Sequence, residues 1–83
     1  MREITTTKDL LTIKVRKRGF VLNERPEVRR VHHASCDSLS TWIDHPKYFS
    51  ENRPAARDWL DRRFGSDGWV NCGYCGGLNS SLE

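Results

Sequence analysis

The sequence predicts a small α+β domain stapled by a metal ion, and three observations carry that prediction. The chain has 83 residues, room for one domain whose own core would bury only about 60% of the unfolded surface and leave stability marginal. Short runs with a two-residue apolar period precede one segment with a clear helical period. Three cysteines and a nearby histidine stand in two close pairs, His32 with Cys36 and Cys72 with Cys75, far apart in the chain.

Taken in order, residues 1–9 carry little pattern and read as a flexible arm. Residues 10–78 are expected to form the single zinc-binding domain, and residues 79–83 a tail whose last two members, Leu82 and Glu83, resemble a cloning scar. Leu11, Ile13 and Val15 alternate with Thr12, Lys14 and Arg16, the pattern of a half-buried strand. Lys17, Arg18 and Gly19 suit a bend, residues 20–23 continue as β, and residues 24–27 with Pro26 turn the chain into a returning strand over residues 28–33. The N-terminal half is therefore expected to be an antiparallel β-hairpin or small sheet. Residues 38–43 read as a helical turn or loop, and residues 47–49 as a short strand.

The one main helix is expected over residues 54–64. Pro54 suits its first turn and Gly65 its C-terminal cap, while Ala56, Trp59, Leu60 and Phe64 recur on one face. Trp59 in that stripe reads as core. Residues 66–68 then turn into a short extended segment, residues 69–71, that delivers the second cysteine pair. There is no internal repeat.

Apolar residues make up 36% of the chain and charged ones 30%. No apolar run approaches the roughly 20 residues of a membrane span, which argues against a membrane partner. The first twenty residues lack the apolar core and cleavage site of a secretory leader, so a cytoplasmic location is expected. There, three cysteines cannot make a complete disulfide framework. His32 and Cys36 as H-x3-C, with Cys72 and Cys75 as C-x2-C, instead supply four soft or borderline donors, the set that zinc binds tetrahedrally in a closed structural site. Gly73, Gly76 and Gly77 give the second pair the backbone freedom of a tight metal turn. Three alternatives stand beside this reading: His33 in place of His32, since successive residues of a strand point to opposite faces; a redox pair at Cys72 and Cys75; and plain packing of Cys36 and the histidines.

Four protein ligands leave zinc no open position, and the chain shows no catalytic carboxylate pair, Ser-His-Asp arrangement or phosphate-cradling glycine loop. The expectation is a non-catalytic protein without a small-molecule substrate. The net charge is +3, but it is uneven. Residues 1–36 hold nine basic against four acidic side chains, residues 37–83 five against seven. Lys14, Arg16, Lys17, Arg18, Arg29 and Arg30 are thus candidate contacts to nucleic-acid phosphates. Trp42, Tyr48 and Tyr74 are candidates to stack on bases. The other class of partner is a protein, met through a surface that includes Trp42 and Tyr74.

The run Val31-His32-His33-Ala34-Ser35-Cys36, then Lys47-Tyr48-Phe49-Ser50, a helix with Ala55-Ala56, Trp69 and Cys72-Gly73-Tyr74-Cys75 resembles the small zinc module of the bacterial Ada DNA-repair protein and its relatives. The resemblance covers residues 31–76. It implies a zinc site at His32, Cys36, Cys72 and Cys75 and a general affinity for DNA. In that module the first cysteine of the first pair is the thiolate that accepts a methyl group from a DNA phosphotriester. Here that position is His32, which cannot serve as the same acceptor.

Overall fold

The computed structural model describes residues 1–82; Glu83, half of the expected scar, lies outside them. Among the described residues the chain runs β1 (Arg2–Ile4), α1 (Thr7–Arg16), β2 (Phe20–Glu24), β3 (Arg29–His33), β4 (Lys47–Ser50), α2 (Arg53–Phe64) and β5 (Val70–Asn71), closing with a 3₁₀ turn at Gly77–Asn79. The five strands form one sheet in the order β1-β4-β2-β3-β5. β5 runs parallel to β3, and the other pairings are antiparallel. The expected α+β class and the β2–β3 hairpin are present. No helix among the described residues is long and apolar enough to cross a membrane.

β2 is the spine of the sheet. Phe20, Val21 and Leu22 are all buried, because a central strand covered on both faces needs apolar residues at every position. Phe20 and Leu22 join Val31, Ala56, Leu60 and Leu78 on the α2 face. Val21 points the other way and joins Ile4, Leu10, Ile13, Phe49, Cys36 and Cys72. The sheet thus separates two cores, one beneath α2 and one shared by α1 and the cysteines.

The N-terminal expectation is corrected. Residues 1–9 are not a loose arm: β1 pairs with β4, Arg2 facing Phe49 and Ile4 facing Lys47, and helix α1 starts at Thr7. Residues 11–16 are helical rather than a strand. The Thr6 hydroxyl accepts the Asp9 amide at 3.1 Å as N-cap, and Lys17 closes the helix in the left-handed conformation. Leu10 and Ile13, three apart, form its buried stripe, and Leu11 and Val15 face out. The alternation of Leu11, Ile13 and Val15 is coincidental, since Ile13 alone of the three is buried.

The second helix matches its expected position closely. Asn52 accepts the Ala55 amide at 2.8 Å, Pro54 sits in the first turn, and Gly65 ends the helix at φ 79°. Trp59 packs against Tyr48 and Phe64 with ring centroids 5.1 and 5.9 Å apart. The C-terminal residues are tied back as well: the Arg53 guanidinium donates to the carbonyls of Ser80 and Leu82.

Candidate metal centre

β3 ends at His32 and His33 on opposite faces. His33 lies edge-on to Phe20, with centroids 5.6 Å apart, and its Nδ1 meets the Ser35 hydroxyl at 2.7 Å. His32, registered with Val21, faces the other core. Two tight turns follow: the Cys36 amide donates to the His33 carbonyl at 3.0 Å and the Leu39 amide to the Cys36 carbonyl at 3.1 Å. They fold Cys36 under the sheet face that carries His32.

The second pair arrives along β5. The Cys72 amide donates to the Val31 carbonyl at 2.8 Å, and the Gly76 amide returns to the Cys72 carbonyl at 2.9 Å. That turn closes around the sulfurs. Tyr74 N donates to Cys72 Sγ at 3.4 Å, and Cys75 Sγ accepts from Gly77 N at 3.4 Å and His33 N at 3.2 Å. Gly77, at φ 54°, is required here, because a Cβ would stand 2.6 Å from the Val31 carbonyl oxygen.

One ligand atom from each of His32, Cys36, Cys72 and Cys75 lies within 4.8 Å of the others, and three of the four residues are buried. Cys36 Sγ and Cys72 Sγ are 3.8 Å apart. Two sulfurs on one ion, with metal–sulfur bonds of about 2.3 Å and tetrahedral angles, stand about 3.8 Å apart, whereas a disulfide would bring them to about 2.05 Å. All three cysteines are free. His32 Nδ1 is a buried side-chain atom without a hydrogen-bond partner among the described residues, a defect costing about 1–3 kcal/mol that a bound cation would remove. The cluster therefore could hold a metal ion.

The electrostatics suit that role. Burial, followed by the nearby charges of Arg30, Lys47 and Lys14, lowers the His32 pKa from 6.5 to about 4, so the imidazole is neutral with a lone pair to donate. At Cys72 burial opposes the thiolate, but the Ser38 hydroxyl, the Cys75 and Tyr74 amides and Cys36 together bring its pKa down to about 7. Cys75 moves up, chiefly through burial. The Ser38 hydroxyl lies 2.9 Å from Cys36 Sγ and 3.4 Å from Cys72 Sγ.

This geometry disfavours the alternatives. His33 is engaged on the far face. No helix begins at Cys72, as a redox pair would require; a 3₁₀ turn follows the loop instead. Plain packing would leave the His32 Nδ1 defect unexplained.

The six candidate phosphate contacts do not form one strip. Lys14 Nζ is committed to the carbonyl oxygens of Leu39 at 2.5 Å and Cys36 at 3.3 Å, clamping the metal-site loop. Arg29 stacks on Phe64 at 4.5 Å and bonds Glu24 and the Gly68 carbonyl. Arg30 is exposed on the opposite face of β3, lining a cavity of about 510 Å³ beside His32 and Cys72. Arg16, Lys17 and Arg18 are exposed where α1 ends. Among the candidate aromatics, Trp42 and Tyr74 are exposed, and Tyr48 is packed against Trp59. The sequence reading missed Ser38, the clamping role of Lys14 and the complete burial of Lys47.

The fold and site together define a small α+β protein with a Cys3His cluster. Comparison of the chain with protein-family models, curated proteins and solved structures yields no match.

Proposed function

We propose that the chain is a non-catalytic zinc domain in which His32, Cys36, Cys72 and Cys75 fill the coordination shell of one Zn²⁺. The 3.8 Å separation of Cys36 Sγ and Cys72 Sγ, the edge expected of a thiolate tetrahedron, is the observation that carries this reading. Three thiolates and one imidazole form a donor set suited to zinc over harder ions such as magnesium or calcium. With four protein ligands no position is left for water or substrate, so the ion acts as a cross-link between the end of β3 and the loop after β5. Native mass spectrometry with metal quantification tests the proposal. One zinc per chain is expected, lost together with the folded charge-state envelope on denaturation. A folded, metal-free chain would overturn it.

A nucleic-acid partner is a second reading, favoured by one observation. Arg16, Lys17 and Arg18 are consecutive, exposed and without an ion pair among the described residues. DNA affinity is also what the likeness to the Ada-type module implies. Three phosphate contacts would give a weak, sequence-independent affinity whose logarithm falls with log salt at a slope of about −2.7. Anisotropy titration should show that slope with duplex DNA and one of about −2.1 with single strands, and loss of both in an Arg16→Gln/Lys17→Gln/Arg18→Gln chain. Absence of binding at low salt would end this reading and favour a protein partner.

A further inference from the structure

Lys47 is 0% exposed. Its Nζ donates to Asn23 Oδ1 at 3.1 Å and Asp44 Oδ1 at 3.3 Å, but Asp44 is 54% exposed and its charge is screened by water. An ammonium in these surroundings is costly unless further negative charge faces it. The register shows where that charge would lie. Asn23 pairs with Lys47 on β4 and with Arg30 on β3, so Lys47, Asn23, Arg30 and His32 share one face of the sheet.

Two more cations belong to this region. Lys14 Nζ caps the Cys36 and Leu39 carbonyls. Arg30 lines the cavity beside His32 and Cys72 and has no ion pair or side-chain hydrogen bond among the described residues. Asn23 and Asp44, which hold Lys47 Nζ, line the same cavity as Arg30, His32 and Cys72. Asp37 and Asp44, the carboxylates nearest the site in the chain, are exposed.

Counted from three thiols and a neutral imidazole, the cluster starts with no charge to balance these cations. Binding Zn²⁺ forms three metal–sulfur bonds and one metal–nitrogen bond, and three thiol protons leave for solvent. The dication, three thiolates and neutral imidazole then sum to −1. We propose that Lys14, Arg30 and Lys47 form a cationic collar that balances the single negative charge of the loaded centre and so sets its metal affinity. The collar rests on the zinc reading above, and it assigns the buried Lys47 a task that the fold alone does not supply.

The test measures zinc affinity of the full chain by competition with a chromophoric chelator, with Co²⁺ absorption spectra reporting coordination geometry. Arg30→Gln should weaken zinc binding about threefold and Arg30→Glu about tenfold, both with an unchanged Co²⁺ spectrum. Lys47→Met should weaken it more than Arg30→Gln, because its charge is buried. Arg62→Gln, which removes an exposed α2 cation paired with Asp58 at 3.2 Å, should leave affinity unchanged. Graded loss that follows charge at Arg30 is the signature, since a packing role would not distinguish Gln from Glu by sign. If both Arg30 variants keep the parent affinity within about twofold, the collar is overturned. Should Lys47→Met fail to fold, the Arg30 pair decides alone. A parent chain that binds no zinc would overturn the zinc reading itself, and the collar with it, before any variant is compared.

Discussion

At the scale of single residues, His32 couples the centre to pH. Its pKa is held at about 4 in the folded chain against 6.5 for the ordinary side chain, by burial and by the charges of Arg30, Lys47 and Lys14. Below pH 6.5 the unfolded chain therefore binds a proton that the folded chain refuses. Stability should fall as pH drops from 6.5 to about 4 and level off beneath it. Protons also compete with metal for His32 and the thiolates, so metal loss acts in the same direction. Thermal melts across this range should show a declining midpoint, and a constant midpoint from pH 7 to pH 4 would contradict the assignment. His32 could be named from the sequence as one of two candidates. The sequence reading favoured His32 over the adjacent His33, and the strand register agrees, sending His33 to Phe20 and His32 to the cysteines.

At the scale of elements, α1 shows how a short pattern misleads. Leu11, Ile13 and Val15 satisfy a strand period, but Leu10 and Ile13 satisfy a helical one, and a ten-residue window does not decide between them. The stronger signal was Thr6 three residues before Asp9, an N-cap spacing ahead of an apolar run. The two readings differ in outcome. Ile13→Ala should cost about 2–4 kcal/mol, because Ile13 is 4% exposed in the core with Val21 and Phe49. Val15→Ala should change stability by no more than about 0.5 kcal/mol, because Val15 is 78% exposed. Equal, large losses in urea unfolding would instead favour a strand that buries both. By contrast α2 was legible almost to the residue, since Pro54 and Gly65 mark its ends by local chemistry and Ala56 and Leu60 mark its face; the Asn52 cap emerged only in the structure.

At the scale of the whole molecule, an ion bound by His32, Cys36, Cys72 and Cys75 would add a cross-link between the end of β3 and the loop after β5. β5 has two residues, and Cys72 and Cys75 follow it directly; beyond that ladder the C-terminal segment is held by Leu78, buried beneath α2, and by Arg53 on the Ser80 and Leu82 carbonyls, none of which fixes the cysteine turn itself to Cys36. Metal binding in such a chain is folding free energy. Chelation, or Cys72→Ala, should collapse the dispersed amide resonances throughout β3, β5 and the cysteine loops rather than abolish binding alone. A chelated sample that keeps a native-like amide spectrum would show that the two cores suffice.

The sequence by itself determined the candidate donor residues, their pairing into H-x3-C and C-x2-C, the α+β class and the limits of α2, because each depends on residue type and local spacing. Only the tertiary structure decided the pairing of β1 with β4, which face of α1 is buried, the burial of Lys47 and the dispersal of the basic residues. The physical reason is that these depend on what stands across the sheet. A lysine or arginine has the same charge wherever it lies, but whether it meets solvent, a carbonyl, an aromatic ring or a metal centre is fixed by register and face. Lys14, Arg29 and Arg30, all basic residues of the N-terminal half, are assigned by the fold to a loop clamp, to Phe64 and to the face that carries His32.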